Sequence, residues 1–96
     1  MNNQDGSGVF VGIDVSAKDL AVAVGTGDQV EAVRNFANSA AGHQQLLRHI
    51  RRGRQRVRVC VEASGNYSLD LCFALHAAGG IELSVINPRL ARRFAE

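Results

Sequence analysis

Two hydrophobic periods organise this chain. Residues 9–15 place Val9, Val11, Ile13 and Val15 at every second position, with Phe10, Gly12 and Asp14 between them. A period of two predicts a strand, and largely apolar residues on both faces predict one that is covered on both sides. Residues 20–24 form a second short apolar run. The Gly25-Thr26-Gly27-Asp28 segment after it has the composition of a hairpin turn. Residues 29–36 set Val30, Ala32 and Arg34 against Glu31, Val33 and Asn35, which predicts a third strand at a sheet edge. Tight turns between the three predict an antiparallel meander.

The period then lengthens. Asn38 or Ser39 can cap a helix over about 40–52, with Leu46, Leu47 and Ile50 continuing a stripe begun by Ala40 and His43, and Gly53 as its stop. A fourth strand is predicted over 57–62 and a loop of small residues over 63–66. A second helix follows over about 67–78, with Leu69, Cys72, Phe73 and His76 on one stripe and Leu71 and Leu75 beside it. Gly79-Gly80 ends it. Residues 81–86 predict a fifth strand, and Pro88 opens a third helix holding Leu90, Ala91 and Phe94. The order is β-β-β-α-β-α-β-α. Helices acting as right-handed crossovers would set the fourth and fifth strands parallel to the first, giving one mixed α/β sheet. Residues 1–8, polar and rich in Gly and Asn, read as a disordered leader.

Ninety-six residues, 46% of them hydrophobic, allow one small domain with a modest core. The net charge of +2 points to no partner by itself. Its make-up says more, since Lys18 is the single Lys among eleven basic residues. Arg suits phosphate because its planar fork donates paired hydrogen bonds, although a GC-rich genome produces the same bias. Cys60 and Cys72 lie in apolar runs without metal-ligand spacing, which predicts buried free thiols in a reducing compartment. No apolar run approaches the roughly 20 residues that span a bilayer, and no signal peptide is evident. The expectation is a soluble cytoplasmic protein without a membrane partner.

Two acids conflict with their surroundings. Asp14 nearly ends the first strand and Glu62 ends the fourth, each after a valine-rich run and before small polar residues. If those strands are parallel neighbours, both carboxylates converge at one edge of the sheet, where α/β proteins build their sites. Parity agrees: Phe10, Gly12 and Asp14 share a face of one strand, and Arg58, Cys60 and Glu62 share a face of the other. Close carboxylates repel, and a hard cation with oxygen ligands, Mg²⁺ or Mn²⁺, relieves that. The blander reading pairs Glu62 with Arg58, or makes Asp14 the cap of a turn.

These residues carry a resemblance. Gly12-Ile13-Asp14-Val15-Ser16-x-Lys18 resembles the opening of the RuvC-like, four-acid (DEDD) transposases of the insertion-sequence one-ten family, a group that includes pilin-gene-inverting recombinases. Val61-Glu62-Ala63-Ser64-Gly65-Asn66-Tyr67 is similar to the family's Glu-Ala-Ser/Thr-Gly-x-Tyr signature, and the likeness continues through Leu71, Leu75, Gly80, Val85, Asn87-Pro88 and Phe94-Ala95. It implies a ribonuclease-H-like (RuvC-like) fold. It implies that Asp14 and Glu62 are the first two of four metal-binding acids and catalyse Mg²⁺-dependent DNA strand cleavage and exchange in insertion-sequence transposition. An RNA transcribed from the element would pair with donor and target DNA.

The family's remaining two acids lie in a segment downstream of the third helix, and a further domain supplies a serine that attacks DNA. The 96 residues are therefore expected to be the N-terminal portion of such a catalytic domain, inactive alone, with apolar surface that favours a homo-oligomer. Candidate nucleic-acid contacts are Lys18, Ser64 and Asn66 at a helix start, Tyr67 as a stacking or packing ring, and Arg89, Arg92 and Arg93 on the third helix. The basic run Arg51, Arg52, Arg54, Arg56 and Arg58 could track a phosphate backbone, while Arg51 and Arg52 read equally as a solvated helix end that complements its own dipole. The alternative class is a non-catalytic nucleic-acid-binding or dimerisation module. ATP-binding proteins that open on a similar strand require a glycine-rich hairpin after it, which residues 14–18 lack.

Overall fold

The computed structural model describes residues 8–51, 56–62 and 66–86. Strand β1 (Val9–Val15) lies at the centre of a six-stranded sheet. It pairs antiparallel with β2 (Asp19–Thr26) on one side and parallel with β5 (Val57–Glu62) on the other. Beyond β5, the strand β6 (Ile81–Ile86) pairs parallel. The far side of β2 carries both β3 (Gln29–Val30) and β4 (Arg34–Ala37). The meander and the two parallel strands agree with the sequence reading, as do the first helix, α1 (Ala40–Ile50), and the second, α2 (Leu69–Ala78). The expected third helix lies outside the described residues.

One face of this sheet is the core. Val9, Val11, Ile13 and Val15 of β1, Leu20, Val22 and Val24 of β2, and Val57, Val59 and Val61 of β5 are buried in one cluster with Leu46, Leu47 and Ile50 of α1 and Leu71 and Leu75 of α2. Burying each such side chain contributes roughly 1.5–3 kcal/mol. The intervening residues Phe10, Gly12, Asp14, Arg58 and Glu62 are exposed. This corrects the expectation of a strand covered on both sides: among the described residues, no element lies over the second face. Asp14 therefore carries its charge in contact with solvent, without the burial penalty that its apolar neighbours suggested.

The predicted third strand is two strands joined by a bulge. Gly25 pairs with Val30, whereas Val22 pairs with Arg34, so three residues (31–33) oppose two (23–24). A hydrogen bond from Glu31 N–H to the Val24 carbonyl, 2.9 Å, lies within this bulge. The extra residue reverses the facing of everything after it. Val30 consequently faces out beside Gly25, while Phe36 turns inward opposite Leu20 and is buried.

Ser39 caps α1, its hydroxyl accepting from Gly42 N–H at 3.1 Å. Gly42 sits so close to β4 that a Cβ there would overlap the Ala37 carbonyl. At the other end of the helical layer, Gly79 and Gly80 stop α2 with φ of +74° and +71°, a backbone that glycine tolerates best.

In α2 the buried stripe is Leu71 and Leu75. Phe73 is 70% exposed, and Leu69 and His76 are exposed too. The sequence placed the stripe on Leu69, Cys72, Phe73 and His76. A helix that is apolar nearly all round gives periodicity little to distinguish faces, and docking against the sheet decides. Leu71→Ala should lower stability by about 2–5 kcal/mol, the usual range for deleting a buried leucine, while Phe73→Ala should change it by about 0.5 kcal/mol or less. Urea unfolding of the two variants checks this, and a larger loss for Phe73→Ala would reverse the assignment.

Candidate metal centre

Three rows of side chains run across the open face. At the C-terminal ends of β1 and β5 the row is Ala21, Asp14, Glu62, Ile86. Behind it lies Ala23, Gly12, Cys60, Ser84, and then Gly25, Phe10, Arg58, Glu82. Asp14 and Glu62 are register partners on adjacent parallel strands. Neighbouring strands are about 4.8 Å apart, and partners in register project to the same face. An open cavity of about 400 Å³ includes Asp14, Glu62, Gly12, Ala21, Cys60 and Ile86 in its lining. Alanine on one flank and glycine behind leave space above the carboxylates, and a Cβ on Gly12 would meet nothing within 4 Å.

Arg58 does not neutralise this pair. Its Nε donates to Glu82 Oε1 at 3.1 Å, and its guanidinium carbon lies 5.6 Å from the Phe10 ring centroid. Arg56 reaches the same Glu82 oxygen at 3.3 Å. At about 3.3 Å per residue along a strand, the four residues from Arg58 to Glu62 span about 13 Å. Among the described residues, neither the Asp14 nor the Glu62 carboxylate has a hydrogen bond or ion pair, and no third His, Cys, Asp or Glu completes a metal-binding group with them. Like unit charges about 5 Å apart repel by roughly 1 kcal/mol in water and about 3 kcal/mol at an effective dielectric near 20. Two free carboxylates side by side fit one edge of a site for a hard divalent ion, which takes six or more oxygen ligands, water included.

The candidate nucleic-acid residues that the structure describes lie near this edge in sequence and in the fold. Lys18 is exposed in the turn between β1 and β2. Asn66 and Tyr67 are exposed in the turn before α2, and Tyr67, 56% exposed, does not pack into the helix start. Ser64, Arg89, Arg92 and Arg93 lie outside the described residues, as do Arg52 and Arg54. The rest of the basic run has internal partners: Arg51 Nη1 donates to the carbonyl of Ala78, the last residue of α2, at 3.0 Å. It complements the C-terminal dipole of the neighbouring helix rather than that of its own. Cys60 and Cys72 are free and half-buried rather than enclosed, and burial pushes the Cys72 thiol up, partly offset by a hydrogen bond from Ser68.

Sequence reading missed Asn38 and His43. The pattern offers Asn38 as a cap and His43 as part of the first helix's stripe. In the structure the two are hydrogen-bonded, 2.7 Å between His43 Nε2 and Asn38 Oδ1, and His43 is 4% exposed. A five-residue separation across the start of a helix matches neither strand nor helix period, so no sequence signal marks the pair.

A sheet of this order with carboxylates at the ends of adjacent parallel strands defines a ribonuclease-H-like α/β protein. Two solved structures of Thermus thermophilus RuvC share the fold. The one in complex with a Holliday junction substrate gives a TM-score of 0.60 at 16% identity, covering 90% of this chain and 68% of that one. The other gives 0.52 at 19% identity, covering 80% and 63%. The profile of the DEDD transposases of the IS110 type, described as "Transposase", matches residues 11–96, and the chain belongs to that family. Comparison with curated proteins finds no match.

His43 generates a pH prediction. Burial holds its imidazole below the ordinary value of 6.5, with Asp70 acting the other way. The folded chain then binds fewer protons than the unfolded chain just below that pH. Its stabilising contribution is complete above about pH 6.5 and is lost as pH falls through the folded value. Thermal unfolding between pH 7.5 and 5 should show this loss, and His43→Gln should flatten it. An equal slope in the variant would contradict the assignment.

Proposed function

We propose that Asp14 and Glu62 are the first two acids of a divalent-metal site that serves DNA strand cleavage and exchange in insertion-sequence transposition. The observation that carries this reading is their direct register across β1 and β5. Membership of the transposase family and the RuvC-like fold supply the reaction class. Mg²⁺ is the cofactor in this reading, with Mn²⁺ as its substitute. When bound, such an ion polarises a phosphodiester and lowers the pKa of an attacking hydroxyl.

The chain's own residues have simpler tasks. Asp14 and Glu62 supply carboxylate oxygens from rigid strand ends. Ala21 and Gly12 keep the space over them clear for a phosphodiester backbone. Lys18 offers a cation to a phosphate at the rim, and the exposed Tyr67 ring offers a stacking surface to a base. The RuvC neighbour was solved with junction DNA, and DNA is the substrate proposed here, guided by an RNA from the element. Exposed Leu69 and Phe73 on α2, with Val85 and Ile86 on β6, favour self-association. No described helix is long and apolar enough to cross a membrane.

One observation favours a second reading, in which residues 1–96 by themselves act as a binding module: among the described residues only two acids meet at the site. Both readings agree that this stretch alone does not cut DNA. A polypeptide of residues 1–96 with Mg²⁺ should leave element-end DNA intact, and cleavage that Asp14→Ala abolishes would contradict this. Calorimetry should separate the readings through weak Mn²⁺ binding that Glu62→Gln removes. Absence of any binding would favour the module.

A further inference from the structure

Asn38 follows the last residue of β4, and its side chain joins two segments that are far apart in sequence. Its Nδ2 donates to the Ser16 carbonyl at 3.0 Å and to the Tyr67 carbonyl at 2.9 Å. Its backbone N–H donates to the Lys18 carbonyl at 2.8 Å. A primary amide has two N–H donors, and both are engaged. Carbonyl oxygens only accept, so the amide orientation follows from its partners, and Oδ1 must face His43. Oδ1 cannot donate, so His43 Nε2 carries the hydrogen in their 2.7 Å contact. Protonation of the imidazole at Nδ1 leaves that Nε2–H in place. The arrangement therefore does not open when His43 titrates.

The two carbonyls define what Asn38 connects. Ser16 begins the turn that leaves β1, two residues after Asp14, and Ser16 and Asp19 close that turn through backbone and hydroxyl hydrogen bonds of 2.9 and 3.1 Å. Tyr67 lies in the turn 66–68 between β5 and α2, five residues after Glu62. The same side chain thus bonds both to the turn that leaves β1 and to the turn that enters α2. The strands fix each acid's register; Asp14 is the penultimate residue of β1 and Glu62 the last of β5.

We propose that Asn38, oriented by His43, is a positioning residue that ties the turn after Asp14 to the turn before α2 and so keeps the two carboxylates at one separation for a divalent cation. This rests on the metal reading above. Neither residue touches the cation; both act through the backbone. Loss of partners that orient metal ligands typically weakens affinity by 10–100-fold.

The test combines a metal-independent readout with a metal-dependent one. Hydrogen exchange by mass spectrometry is followed in segments 16–19 and 66–69 of the wild type, Asn38→Ala, His43→Leu and His43→Gln, and Mn²⁺ affinity is measured for each. Asn38→Ala should accelerate exchange in both segments together and weaken Mn²⁺ binding roughly tenfold or more. His43→Leu should move the same way, because it leaves Oδ1 without a donor. His43→Gln, whose amide nitrogen can replace Nε2–H, should stay close to wild type in both readouts at pH 5.5 and pH 7.5 alike. Where Asn38→Ala does not fold, Asn38→Asp carries the test, since it keeps the acceptor for His43 and removes both donors. A folded Asn38 variant with unchanged exchange, with acceleration in one segment only, or with wild-type Mn²⁺ affinity at a site that Glu62→Gln abolishes overturns the proposal. Joint acceleration in a protein whose wild type binds no Mn²⁺ overturns the metal reading and supports the tie between the two turns.

Discussion

The parallel pairing of β1 with β5 is the constraint on which the rest depends. Six register pairs, from Val9 with Val57 to Asp14 with Glu62, lock the two strands together. Side chains alternate along a strand, so this register fixes two things at once. It sends Val57, Val59 and Val61 into the core beside Val9, Val11 and Ile13, and it sets Glu62 beside Asp14 on the other face. A slip of one residue would expose the valines and place Val61 next to the acid. Core burial therefore enforces the register that sets the two acids side by side.

The charges on the open face are divided into separate groups by the same register. Arg58 and Glu82 are partners across β5 and β6 and bond to each other, with Phe10 beneath the guanidinium. Arg58, two rows away from Asp14 and Glu62, is thus occupied by Glu82. An acid pair with no cation beside it among the described residues, on strand ends open to solvent, is well placed to meet a metal ion. The repulsion between two exposed carboxylates is small enough that the fold tolerates the pair without one.

Much of this was legible in the sequence, for a physical reason. Period-2 runs in residues 9–15 and 57–62 specify strand faces, and parity together with the expected parallel pairing set Asp14 beside Glu62. Glycines placed the end of α2. Other features depend on tertiary packing and were not legible. The one-residue bulge at 31–33 leaves the local alternation intact while reversing its sense, so the pattern read 29–36 as one uninterrupted strand. The docking face of α2 was obscured because Leu69, Phe73, Leu71 and Leu75 are all apolar. Phe10 and Gly12 suggested a covered strand, yet they line an open trough. Asn38 and His43 have partners drawn from three different segments, which local patterns do not encode.

The central claim is that Asp14 and Glu62 together hold a divalent ion, and paramagnetic broadening by Mn²⁺ in amide NMR spectra tests it by location. Substoichiometric Mn²⁺ should broaden the amides of residues 13–15 and 61–62 first, with the effect spreading over the open face and sparing α1. Broadening centred on another acid, such as Glu82 or Asp70, or spread evenly over the surface, would contradict the account.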